Sequence, residues 1–132
     1  MVFKAFTSFL SRRVIKTTIL AYQGLVTAFS GQEAFRFELA IFLISIPLAF
    51  FVAQTNLQIL LLLAVGILVL IIELLNTAIE LVVDRIGLEI NKLSGQAKDV
   101  GSSAVFLSLL LFVVVWTVII IDNFYLSRLF SR

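Results

Sequence analysis

The 132-residue chain has no cysteine and no histidine. The first absence excludes disulfides, thiolate metal ligands and cysteine nucleophiles. The second removes imidazole ligands and the commonest general base. Charge is scarce too: 14% of residues are Asp, Glu, Lys or Arg, where a soluble domain has about a quarter. Ten basic and eight acidic residues leave a net charge of +2. No basic cluster interleaves with stacking aromatics, so nucleic-acid binding is not expected. No Gly is followed by Lys, which excludes a Walker-type phosphate loop, and there is no kinase-type glycine loop. Any chemistry must run on carboxylates, Lys, Arg, carboxamides and hydroxyls.

Apolar residues are what the chain has in plenty. They make up 61% of it, 13 of them Phe, and mean hydropathy is +1.16. This composition implies an all-helical integral membrane protein. A spanning helix needs about 20 mostly apolar residues, so the length holds three or four spans in one domain. Three apolar blocks stand out: Leu39–Ala53, Leu57–Ile72 and Ala104–Ile121. The first two reach full length only by taking in polar neighbours, Arg36 and Glu38 before one, Glu73, Asn76 and Glu80 after the other. The expected division of residues 1–132 is a surface helix over 1–30 and spans over 35–53, 56–86 and 96–122. Pro47 falls inside the first span, where a membrane helix tolerates it and can kink. Gln54-Thr55-Asn56 reads as a tight turn. Asp84 to Asp99 reads as a polar loop, with Ser94 as the N-cap of the last helix.

Residues 3–28 differ. Phe3, Phe6, Leu10, Val14, Ala21, Leu25 and Ala28 recur on one helical face, with Ser8, Arg12, Lys16 and Gln23 opposite. A basic amphipathic helix of this kind lies in the membrane interface, or packs on the protein's own surface. Charges interrupt the run, which argues against a signal peptide. Lys4, Arg12, Arg13, Lys16 and Arg36 near the N-terminus, and Arg85, Lys92 and Lys98 between spans two and three, place both segments on the cytoplasmic side. The loop between spans one and two has no basic residue. Arg128 and Arg132 in the tail argue weakly the other way.

Glu73, Asn76, Glu80 and Asp84 are spaced 3, 4 and 4 apart. They fall within about 80° on one helix face and run about 16 Å along it. A carboxylate at lipid depth costs a few kcal/mol even on lenient scales, so it must face protein, water or a cation. Interhelical pairing with Arg36 or Lys98 would meet that need. So would an oxygen-only Mg²⁺ site, which takes one or two carboxylates plus substrate phosphates. Lys98, Asp99 and Ser102 start the third span. Lys98 and Ser102 share a face, and a Lys beside an acidic metal site suits a phosphate.

From Glu73 onward the run ELLNTAIELVVDRIGLEINKLSGQAKDVGSSAV resembles the signature of the small prokaryotic diacylglycerol kinases. The pattern E-x-x-N-x-x-x-E-x-x-x-D-R, a loop, and A-K-D-x-x-S is matched at Glu73, Asn76, Glu80, Asp84, Arg85, Ala97, Lys98, Asp99 and Ser102. Weaker resemblance extends upstream through Gly24-Leu25 and from Ala34 to Glu38. It implies a homotrimer in the bacterial inner membrane, with a surface helix, three spans per subunit and active sites shared at the cytoplasmic interface. The implied activity transfers the γ-phosphate of MgATP to diacylglycerol, giving phosphatidate. By register, Glu73 is the implied general base and Glu80 a metal ligand that also contacts ATP. Arg13, Glu89, Asn91, Lys98 and Asp99 are implied ATP contacts. Asn76 belongs to the polar cluster on the substrate side with Glu73, and Ser102 and Trp116 line the lipid path.

Two positions depart from the family pattern. A second metal-ligating Glu is usual three residues before the Phe-Arg pair. Here that position is Gln32, followed by Glu33, and either could take the role. Asn91-Lys92 stands where many relatives have His-Glu. The rival readings are an undecaprenol kinase, a small ion or drug carrier using the acidic face, and a structural bundle subunit. Phe37-Glu38, where polyprenol kinases usually have a basic or His residue, favours diacylglycerol.

Overall fold

The computed structural model describes residues 2–87 and 91–130, with side chains at 13–87 and 91–124. Four helices account for nearly all of them: α1 (Val2–Gly31), α2 (Glu33–Val52), α3 (Asn56–Ile86) and α4 (Lys92–Phe130). Among the described residues there is no strand, as the composition implied. α2, α3 and α4 are each long and apolar enough to cross a membrane. The chain divides into two units, Met1–Glu33 and Ala34–Arg132.

In the first unit, α1 is continuous for 30 residues. The hydroxyls of Thr18 and Thr27 donate back to the Val14 and Gln23 carbonyls, both at 2.9 Å. The backbone N–H of Gln32 closes a last turn on the Ala28 carbonyl. Both faces of α1 carry exposed side chains, Val14, Ile15, Leu25 and Phe29 among the apolar ones and Arg13, Lys16 and Gln23 among the polar ones.

The second unit is a helical bundle whose α2 runs unbroken through Pro47. The connection to α3 is the expected tight turn. Thr55 is extended and its hydroxyl accepts from the Gln58 N–H, capping α3. The next connection corrects the sequence reading. Asp84 to Asp99 is mostly helix, because α3 continues to Ile86 and α4 begins at Lys92. Asn91, not Ser94, is the cap: its side-chain oxygen accepts from the backbone N–H of Leu93 and Ser94. Ser94 therefore lies inside α4. Both residues are good N-caps, so composition alone did not separate them.

α3 and α4 pack side by side as an antiparallel pair. Contacts tie them at both ends. At one end the Gln58 side-chain NH₂ donates to Asn123 Oδ1 at 2.9 Å, and Asn123 in turn donates to the Val52 carbonyl at 2.8 Å. One carboxamide pair thus joins the last turn of α2, the first of α3 and the far part of α4. Beside it lies an apolar cluster of Ala49, Leu62 and Ile119, flanked by Val115 and Trp116. Gly66 lets α2 approach α3: a Cβ there would stand 2.6 Å from the Phe42 ring.

The buried face of α3 explains where the site falls. Leu62, Val65, Gly66, Val69, Glu73, Asn76, Thr77 and Val83 are buried, at helical spacing along one stripe. The stripe is apolar in its first half and turns polar at Glu73. Opposite it, Leu60, Ile67, Leu68, Ile71 and Leu75 are exposed. Such a helix is inside-out by soluble standards and suited to lipid, where apolar surface carries no cost.

Candidate active site

The acidic stripe is graded in depth. Glu73 is 3% exposed and Asn76 8%, Glu80 is half-buried, and the Asp84 side chain is 53% exposed. Asn76 Nδ2 donates to Glu80 Oε1 at 3.1 Å, so the carboxamide fixes the orientation of the carboxylate one turn below it. At the open end, Lys98 of α4 reaches back to Asp84, Nζ to Oδ1 at 2.6 Å. Interhelical pairing therefore accounts for Asp84.

Sequence reasoning missed one acid as a member of the group. Glu38 of α2 is 7% exposed, and its Oε2 is buried with no hydrogen-bond partner. It lies close enough to Glu73 for the two charges to act on each other, as Glu73 and Glu80 do. Glu38 also lines a small cavity with Phe42, Gly66, Val69 and Phe112. The signal was available, since Glu38 stands beside an apolar block much as Glu73 does.

Asn76 Oδ1 and Thr77 Oγ1 are likewise buried without a partner. Buried polar groups without partners are rare. Here Glu38, Asn76 and Thr77, each with a partnerless buried oxygen, belong to the polar neighbourhood of Glu73. Desolvated acceptors gathered beside a carboxylate are what a bound hydroxyl or its hydrogen-bonded partners would satisfy.

A close approach holds Asn76 in place. Gly101 of α4 faces it, and a Cβ at Gly101 would collide with Asn76 Oδ1. Gly101→Ala should push the carboxamide off Glu80 and part the two helices. Overpacking of this kind costs about 1–3 kcal/mol, read as a lower midpoint of thermal unfolding in detergent together with reduced activity. Gly95→Ala is the control, because nothing lies within 4 Å of a Cβ there, and the midpoint should hold or rise. Equal midpoints for the two variants would show that the Gly101 contact is not limiting.

Among the remaining sequence-derived candidates, Lys98 is half-buried, Asp99, Ser102 and Asn91 are exposed, Gln32 is half-buried, and Arg13 and Glu33 are exposed. Asn91 uses its side-chain oxygen as the α4 cap. Glu89 lies outside the described residues. Trp116 stands apart from the acids: it is 14 positions from Ser102, about 21 Å along α4. It stacks obliquely on Phe112, ring centres 5.7 Å apart, and with Ile41, Ser45 and Leu48 lines an open, largely apolar groove of about 320 Å³. Among the described residues no three acids converge as a ready-made metal cluster. A hard cation shared with phosphates needs only one or two carboxylates, and the oriented Glu80 fits that requirement.

A stripe of carboxylates on a helix long and apolar enough to cross a membrane, open at one end onto a Lys, defines the class: an all-helical protein of membrane-spanning type with buried acids. Comparison with known proteins narrows the class. The prokaryotic diacylglycerol kinase family matches residues 19–120, and the chain belongs to that family of enzymes. A diacylglycerol kinase of Haemophilus influenzae is 47% identical over 103 residues, covering 78% of this chain and 87% of the relative. One from Pseudomonas aeruginosa is 40% identical over 110 residues, covering 83% and 89%. One from Escherichia coli K12 is 38% identical over 112 residues, covering 85% and 92%.

Proposed function

We propose that the protein phosphorylates diacylglycerol to phosphatidate with MgATP, as a homotrimer in the bacterial inner membrane with its active sites on the cytoplasmic side. The observation that carries this reading is the graded stripe from buried Glu73 to the exposed Asp84–Lys98 pair, in a chain of this family. A lipid alcohol comes from the bilayer and a nucleotide from water, and the stripe connects the two environments. α1, by this reading, lies in the membrane interface.

Phosphoryl transfer asks mainly for positioning and charge neutralisation. Glu73 accepts the proton of the lipid hydroxyl as its oxygen attacks the γ-phosphorus. The bond from that phosphorus to the bridging oxygen of ADP breaks, and ADP leaves with the electron pair. Asn76 holds Glu80 in position and borders the hydroxyl. Glu80, with Gln32 or Glu33 as a second ligand, would hold Mg²⁺. The ion, when bound, supplies positive charge to the nucleotide phosphates. Lys98 adds a point charge, and Arg13, Glu89, Asn91 and Asp99 complete the nucleotide contacts. Ser102 and Trp116 border the path of the lipid.

The test is coupled ADP release in detergent micelles, with diacylglycerol and a polyprenol compared. ADP release that depends on diacylglycerol and on Mg²⁺ is expected. Faster turnover of the polyprenol would shift the assignment to an undecaprenol kinase. Absence of any lipid-dependent ADP release would leave a carrier or structural subunit.

A further inference from the structure

Asp84 takes no part in the transfer just described, yet it holds Lys98, to which that transfer gives a cationic role. We propose that Asp84 is a positioning residue for Lys98: its carboxylate fixes the ammonium at the open end of the acidic stripe, poised for the nucleotide phosphates. This rests on the nucleotide role given to Lys98 above.

Three observations support it. The contact is a charge-assisted hydrogen bond of 2.6 Å between residues 14 apart in sequence, joining the last turns of α3 to the first turns of α4. It therefore fixes the ammonium with respect to the stripe rather than to its own helix. Asp84 also follows Glu80 by one helical turn, about 6 Å along the axis. The Glu80 carboxylate acts electrostatically on the same ammonium. Lys98 thus stands between the carboxylate assigned to the metal and the exposed end where a nucleotide would enter. Finally, the ammonium has three donors, and one bond to Asp84 leaves two for phosphate oxygens. The Lys98 side chain is 40% exposed, so those donors are reachable.

A free Lys on four rotatable bonds would lose its rotamer freedom each time nucleotide bound. Asp84 removes that loss in advance, a gain that appears in nucleotide affinity. As a stability device the pair is poor, because exposed ion pairs contribute little to folding. A purely structural role would leave the Michaelis constant for MgATP where it is.

Steady-state kinetics on the whole protein with MgATP varied at saturating diacylglycerol provide the test. Asp84→Ala should raise the KM for MgATP about three- to fivefold, the range an exposed charge pair can supply, with kcat within about twofold. Asp84→Glu, which restores the charge, should recover most of the KM. Asp84→Asn, nearly isosteric, should fall between and serves if the Ala variant folds poorly. Lys98→Met, read by binding of a fluorescent ATP analogue, separates the two readings. If Lys98→Met weakens nucleotide binding while no Asp84 variant moves the KM, the positioning role is overturned and the nucleotide role of Lys98 stands. If Lys98→Met leaves nucleotide binding unchanged, both fall.

Discussion

Replacing Glu73 by Gln is expected to lower the rate of diacylglycerol phosphorylation by about two to four orders of magnitude, the usual contribution of a positioned general base. The substitution keeps the shape of a side chain only 3% exposed and removes its ability to take a proton. Folding should not suffer. A buried carboxylate is costly to keep, and a neutral isostere relieves the mutual repulsion with Glu38 and Glu80. Thermal unfolding and size-exclusion profiles in detergent should therefore match the parent protein while ADP release collapses. A Glu73→Gln enzyme that turns over within about tenfold of the parent, short of what a general base supplies, would remove Glu73 from the role of base.

The second large effect is expected at Glu80. Glu80→Gln should lower kcat/KM at limiting Mg²⁺ by about two to three orders of magnitude, as losing one preorganised charge contact in a phosphoryl-transfer site does. Asn76 already engages one oxygen of Glu80 at 3.1 Å, so the carboxylate is held for its task and the variant loses charge rather than fit. Raising Mg²⁺ should recover part of the activity. The same titration decides the second ligand: Gln32→Ala or Glu33→Ala, whichever shifts the Mg²⁺ midpoint upward, identifies it. A Glu80→Gln variant with the parent's Mg²⁺ midpoint would place the metal elsewhere.

Much of this was legible in the sequence, for a physical reason. Helices at lipid depth announce themselves by length and hydropathy, and α2, α3 and α4 fall where the apolar blocks stand. The acidic stripe was legible because four polar residues at helical spacing stand out against Leu and Ile. What stayed hidden concerns which neighbour each face meets. Around a membrane helix both the lipid-facing and the protein-facing positions are apolar, so hydropathy does not tell them apart. Nothing local shows that Phe42 fits against Gly66, that Gly101 makes room for Asn76, or that Glu38 is buried beside a small cavity. The α4 cap failed differently. Asn91 and Ser94 both make good caps, and the bonds to the Leu93 and Ser94 N–H groups decided between them.

The carboxamide pair Gln58–Asn123 sits far from the acids, yet it anchors the opposite end of the helix that carries them, as a pivot does for a lever. Gln58 and Glu80 are 22 positions apart on a continuous α3, about 33 Å at 1.5 Å per residue. A tilt of about 5° at the amide end would swing the carboxylate end by about 3 Å, many times the half-ångström tolerance of a working site. Alignment at the acidic end is thus sensitive to contacts at the opposite end of the bundle as well as to those beside the acids. A chemically silent Asn in the far turns of α4 therefore shares, with the Gly101–Asn76 approach and the Lys98–Asp84 bond, in holding the helix that carries acids it never touches.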